Sequence, residues 1–161
     1  MKVEQAMAED VPALAAIWHA GWHQGHAAGA PAALTALRTP TEFQDRVLRL
    51  WPQTWVMRTN TSEIAGFFML KDAELYQFYL AAPYQGRGIA AALMAAAEDV
   101  LAPRRAWLAC ATDNIRAARF YEKCGWTRVA TENYTTETAQ GPMSLDVWRY
   151  EKDLSVASTQ A

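Results

Sequence analysis

Between an aromatic, apolar run at residues 75–80 and an alanine-rich run beginning at Ile89 lies the segment Tyr84-Gln85-Gly86-Arg87-Gly88-Ile89-Ala90. Its residue types suit a phosphate. Gly86 and Gly88 carry no β-carbon, so a ligand can approach the backbone of the turn closely. The free N–H groups of the helical turn that follows, with the positive end of its dipole, would face an anion. Arg87 adds a fixed positive charge, and the cradle so defined runs from Gly86 to Ala91. Two other groups of residues could do chemistry. His19, His23 and His26 fall at i, i+4 and i+7, one face of a helix and a possible metal site. Gly21 and Gly25 interrupt that segment and no nearby Asp or Glu adds a ligand, so no metal is expected. Cys110 and Cys124 are too few for a disulfide framework and read as small core residues in a reducing cytosol, with Cys124 the weaker alternative of a nucleophile.

The glycines alone do not name the ligand. The turn lacks the G-K-[ST] ending of a nucleotide P-loop and the third spaced glycine of a dinucleotide fold. What remains, Gln85-x-x-Gly88-x-Ala90, resembles the Q/R-x-x-G-x-G/A signature of the GNAT superfamily of N-acetyltransferases. Residues 112–126 read as cap, short helix, glycine stop and new strand. Their Asn114-x-x-Ala117-x-x-Phe120-Tyr121-Glu122-Lys123-x-Gly125-Trp126 is similar to that family's N-x-x-A-x-x-F-Y-E-K-x-G-F/W segment. The matched positions span only about 25 residues, but the two motifs are independent and occur in the family's order.

The resemblance implies acetyl-CoA as co-substrate, its pyrophosphate on Gln85, Gly86, Arg87, Gly88, Ile89, Ala90 and Ala91. It implies that backbone N–H groups of a splayed, bulged fourth strand, here Phe78, Tyr79 and Leu80, meet the thioester oxygen. Tyr121 matches the family's general acid. A phenol near pKa 10 protonating a thiolate near 8.5 is uphill by about 2 kcal/mol, so Tyr121 is expected to act mainly as a hydrogen-bond donor to sulfur. Packing alone is the other reading of that ring. Asn114 matches a contact to the pantetheine–phosphate arm but is equally a competent helix cap. An acceptor amine of pKa near 10.4 is only about 0.04% neutral at pH 7, a cost of roughly 4.6 kcal/mol, so a base is needed. Glu74, eleven residues before Gln85, stands where some protein-lysine acetyltransferases of the family place one, although a bulge can shift the register. A solvated residue after the turn 71–73 is the plain alternative. Arg116, Arg119 and Lys123 could reach a 3′-phosphate but read more simply as solvated charges. By fold analogy Trp22, His23 and His26 fall on the acceptor side, with Tyr134 on the opposite rim. Trp22, Tyr76 and Tyr134 would suit an amphiphilic or cationic amine. A small-molecule amine is the expected acceptor, a protein N-terminus or lysine and a non-catalytic acyl-CoA sensor are the alternatives, and a homodimer is left open.

The elements that must hold these residues follow from punctuation. Asp10 and Pro12 open a first helix with Leu14, Ile17, Trp18 and Trp22 on one face, and residues 21–40 show no clear period. Thr41-x-x-Gln44 reads as the capping box of a second helix through Phe43, Val47, Leu50 and Trp51. Strands are expected at 1–6, 54–59, 64–70, 75–80, 105–110, 126–134 and 143–151, and helices from 89 to 102 and after 112. The expected fold is α/β, a mixed, mainly antiparallel sheet of about seven strands with helices on both faces and strand four splayed. Residues 1–154 read as one domain and 155–161 as a frayed tail. The 161 residues are 52% hydrophobic with seven tryptophans, enough for one well-formed core. A net charge of −2 gives no nucleic-acid footprint. No run approaches a bilayer span and the N-terminus does not read as a signal peptide, so a cytoplasmic protein without membrane contact is expected.

Overall fold

The computed structural model describes residues 1–26 and 29–155. Six of the seven tail residues assigned above to a frayed end, 156–161, lie outside the described residues. The chain runs β1 (Lys2–Gln5), α1 (Val11–His26), α2 (Ala32–Leu37), α3 (Pro40–Leu50), β2 (Thr54–Arg58), β3 (Ile64–Lys71), β4 (Glu74–Leu80), α4 (Ile89–Leu101), β5 (Arg105–Ala111), α5 (Ile115–Lys123), β6 (Thr127–Thr136) and β7 (Met143–Asp153). The strands form one sheet in the order β1-β2-β3-β4-β5-β7-β6, antiparallel throughout except between β4 and β5.

Strand β3, Ile-Ala-Gly-Phe-Phe-Met-Leu-Lys, is apolar without alternation because both its faces are covered. Phe68 and Leu70 face one core with Leu93, Met94, Ala97 and Leu101 of α4 and Ala118 of α5. Phe67 and Met69 face the other, with Leu14 and Trp18 of α1 and Phe43 and Val47 of α3. The helices therefore lie on both faces of the sheet, as expected.

Two boundaries differ from the sequence reading. Helix α1 runs through Gly21 and Gly25 to His26, where no regular period was legible. The cap of α3 is Thr39, whose side chain accepts the Glu42 N–H at 3.2 Å, and not Thr41. Proline is favoured in the first helical position, so Pro40 opens the helix and moves the cap one residue before it. Among the described residues no helix is long and apolar enough to cross a membrane.

The parallel pair creates the site. Strands β4 and β5 share a single register pair, Glu74 with Trp107, together with a bond from the Trp107 N–H to the Ala73 carbonyl. Beyond it they diverge, while β4 stays paired to β3 as far as Leu80. The edge of β4 that would face β5 is thus free from Gln77 onward. A register shift opposite Met69 and Leu70 places one extra residue, Tyr76, in β4. Such a bulge bends the strand and changes which face later residues use. Upstream Leu75 joins the α4–α5 core, and downstream Phe78 and Leu80 pack against it, so Glu74 shares the opposite face with Tyr76 and Tyr79.

Candidate active site

The wedge between β4 and β5 opens into a cavity of about 580 Å³. At its mouth is the glycine turn. Gly86 (φ 72°) and Gly88 (φ 75°) hold left-handed conformations in which a side chain is strained, and a β-carbon at either would project into open space. Gly88 is the residue before α4 and no side chain caps that helix. Among the described residues the N–H groups of Gly86, Arg87 and Gly88 donate to no other backbone group. Open glycines beside unspent donors at a helix start fit a pyrophosphate. Gln85 ties the turn to its surroundings, donating to the Leu80 carbonyl (3.2 Å) and pairing with Gln24 of α1. Arg87 lies back over the Tyr84 ring, its guanidinium bonded to the Pro83 carbonyl at 3.3 Å.

Phe78, Tyr79, Leu80, Gln85, Gly86, Ala90, Asn114 and Tyr121 all line the cavity, whereas Arg87, Gly88, Ile89 and Ala91 do not. Asn114 is the N-cap of α5, its Oδ1 accepting the Ala117 N–H at 3.2 Å, and it also borders the cavity. Tyr121 is half-buried between Phe120 and Tyr150, with ring centroids 5.8 and 6.0 Å away. Burial raises its pKa, with the neighbouring Cys110, Tyr79, Cys124 and Tyr150 adding to the effect. The Cys110 thiol, also buried, is pushed up to about 12, and burial raises Cys124. Neither is a thiolate poised for attack.

At the deep end, Glu74 is 7% exposed and accepts a hydrogen bond from the Tyr134 hydroxyl at 3.0 Å. Burial raises its pKa, and the Tyr134 bond and the charges of Lys71 and Arg149 offset only part of that. Glu74 is therefore a desolvated carboxylate held by one donor, on the strand that forms the cavity wall. The Tyr134 hydroxyl is itself held well above its usual range by burial and by the Glu74 charge. Trp22 and His26 reach the cavity from α1, their rings 5.1 Å apart, and burial lowers the His26 pKa. His23 is not in the lining, and its Nε2 lies 2.7 Å from the Arg38 carbonyl. No group of three or more potential metal ligands occurs among the described residues.

Sequence reasoning missed one part of the wall. Arg38 and Arg46 line the cavity although they are only 2% and 4% exposed. Arg38 bonds Glu42 (2.8 Å), the Glu137 carbonyl (2.8 Å) and Thr136 (2.7 Å). Arg46 donates to the Tyr76 hydroxyl at 2.9 Å and lies 4.1 Å over the Trp18 ring. A signal existed: Arg46 falls three residues after Phe43 and beside Val47, on the stripe that α3 buries.

The acetyltransferase (GNAT) family profile matches residues 14–126, from α1 through α5 and its glycine stop. No curated protein matches the sequence. The fold is similar to the GCN5-related N-acetyltransferase of Rhodopseudomonas palustris, with a TM-score of 0.71, 20% identity and 95% of each chain covered. It is similar to the PaiA N-acetyltransferase of Thermoplasma acidophilum, solved with coenzyme A, at TM-score 0.72 and 17% identity over 94% of this chain and 98% of that one. YncA of Salmonella typhimurium, a putative acetyltransferase solved with acetyl-CoA, gives 0.68 and 16% over 98% and 96%. The chain belongs to the GNAT family of acetyltransferases.

Proposed function

We propose that this protein transfers the acetyl group of acetyl-CoA to a primary amine of a small molecule, by direct attack on the thioester. The observation that carries the reading is one cavity reaching from the glycine turn at Gly86 and Ala90 to the desolvated Glu74. Bound at that turn, acetyl-CoA would supply an activated acyl carbon in the gap between β4 and β5. The free β4 edge near Phe78, Tyr79 and Leu80 offers N–H groups for the thioester oxygen. Glu74, directly or through water, takes one proton from the acceptor ammonium and leaves a nitrogen lone pair free. That pair forms the C–N bond as the C–S bond breaks. The second amine proton is lost to solvent, and the departing sulfur gains one from Tyr121 or water. Overall, ammonium and acetyl-CoA give the amide, free coenzyme A and one proton. Two cysteines left as free thiols suit a reducing compartment, the cytoplasm. The protein's state of association, monomer or homodimer, does not enter this chemistry.

The test is coenzyme A release from acetyl-CoA across a panel of primary amines, read as free thiol. Amine-dependent release is expected. Tight acetyl-CoA binding with no release for any amine, peptide or protein acceptor would favour a sensor of acyl-CoA instead.

A further inference from the structure

We propose that the acceptor carries a carboxylate beside its amine, and that Arg46, with Arg38 behind it, receives that carboxylate. The inference deepens the acetyltransferase reading and rests on it. Two guanidinium groups, both more than nine-tenths buried, border the cavity that holds Glu74. A single carboxylate serves them. Glu42 Oε1 bonds Arg38 at 2.8 Å but lies 4.0 Å from Arg46, beyond hydrogen-bond length. Arg38 Nε and Glu42 Oε2 have no partner among the described residues. Within the Arg38–Glu42–Arg46 group two positive charges face one negative, and neither Glu74 nor Asp113 of the same cavity forms an ion pair with either guanidinium among the described residues, a costly arrangement unless an anion completes it. Arg46 is also held in place, its guanidinium 4.1 Å over the Trp18 ring and bonded to the Tyr76 hydroxyl. A planar fork held rigid is what bidentate carboxylate recognition requires.

The position of this pair relative to the base sets the ligand's shape. Tyr76, which orients Arg46, lies two residues from Glu74 on β4, about 7 Å along the strand. Glu74 with Tyr134 suits an ammonium, and Arg46 with Tyr76 suits an anion a few bonds away. A zwitterion with amine and carboxylate close together, the arrangement of a free amino acid, satisfies both ends. An acceptor bearing only positive charge would instead meet the two guanidinium groups in the cavity wall. A lysine side chain or protein N-terminus has no carboxylate at that spacing and leaves Arg46 uncompensated.

The experiment compares free amino acids with their carboxamides, matched in every other group. Thiol-release kinetics are measured on the full chain, and binding is measured by calorimetry on the coenzyme A-saturated protein. The free acids should bind, and kcat/KM should favour them at least thirtyfold over the amides. Arg46→Met should erase the preference without altering acetyl-CoA affinity, and Arg46→Lys should retain part of it. Equal kcat/KM for acids and amides in the wild type would overturn the proposal without any variant. So would failure of every free amino acid to bind below 10 mM, set as the upper limit of the titration, about 2.7 kcal/mol. Acids that bind in preference to amides while no amine is acetylated would support the carboxylate site and sink the catalytic reading alone.

Discussion

At the scale of single residues, Glu74, buried, and Tyr121, half-buried, are two acids whose surroundings push both pKa values up, with different consequences. A raised pKa makes Glu74 a stronger base. Glu74→Gln should cost turnover most near neutral pH, where the amine is protonated, and the deficit should shrink toward the amine's own pKa. A wild-type pH–rate profile in that variant would remove Glu74 from the mechanism. Its stability should move the opposite way from its activity. A carboxyl whose folded pKa is raised binds its proton more tightly in the native state, so its contribution is full below about pH 4.3 and is lost as pH rises. The amide mimics the protonated acid. The melting temperature of Glu74→Gln should therefore match or exceed the wild type at pH 7.5 and lose that advantage by pH 4.5. For Tyr121, a raised pKa makes proton transfer to a thiolate still more uphill and favours simple hydrogen-bond donation. Tyr121→Phe should lower turnover about ten- to a hundredfold, roughly 1.4–2.7 kcal/mol, at unchanged acetyl-CoA affinity. A loss beyond about a thousandfold would mean obligatory transfer, and no loss would mean that the ring only packs. Both residues were legible because each sits at a fixed offset from a local motif. Tyr134, sixty residues from Glu74, and the Arg38–Glu42–Arg46 group were not, since their meaning arises only when distant elements meet.

At the scale of elements, α1 crosses the mouth of the wedge and is fitted to it by glycine. A β-carbon on Gly21 would overlap the Tyr79 ring, and one on Gly25 would lie 2.9 Å from Asn114 Nδ2. Each helical glycine costs about 1 kcal/mol of helix propensity, offset here by close approach. Gly21→Val should therefore overpack the interface, lowering stability by about 1–3 kcal/mol. A matching fall of roughly 2–10 °C in melting temperature would accompany it. An unchanged melt would mean that Tyr79 swings aside freely. This is also why α1 was not legible past Trp22: two glycines look like breakers until the ring they admit is known. Helices α4 and α5 were readable because glycine turns and caps bound them locally, whereas the bulge at Tyr76 has no local signature. At the glycine turn the expectation is sharper. Gly88→Val adds a branched side chain at φ 75° in the turn proposed to hold the pyrophosphate. Acetyl-CoA affinity by calorimetry should drop at least tenfold, about 1.4 kcal/mol. Retained affinity would place the cofactor elsewhere.

At the scale of the whole molecule, the sheet has one weak seam, the single Glu74–Trp107 pair that joins β1–β4 to β5–β7. The order of elements made seven strands legible and the family resemblance implied a splayed fourth strand, but parallel pairing leaves no mark in the sequence that would place the parting at Glu74 and Trp107. The far edge is tied by charge. Arg58 of β2 forks onto Asp10 (3.0 and 2.6 Å) and reaches Glu4 of β1 (3.0 Å), joining the turn after β1 to the sheet. Burial alone would raise the Asp10 pKa, but the Arg58 hydrogen bonds and charge and the Met7 N–H outweigh it and the net shift is downward. The sign is then opposite to that of Glu74. A depressed folded pKa gives stability that is present above the unfolded value of about 3.9 and lost as pH falls through the folded one. Asp10→Asn keeps the shape and one acceptor but drops the charge. It should cost about 1–3 kcal/mol at pH 7, less than removal of a fully buried partner. The difference in urea unfolding between the two proteins should shrink as pH falls below about 3.9, because the unfolded carboxyl then takes up a proton that native Asp10 resists. A difference that stays constant from pH 7 to pH 3 would show that Asp10 holds the edge by packing and hydrogen-bond geometry, and not by its charge.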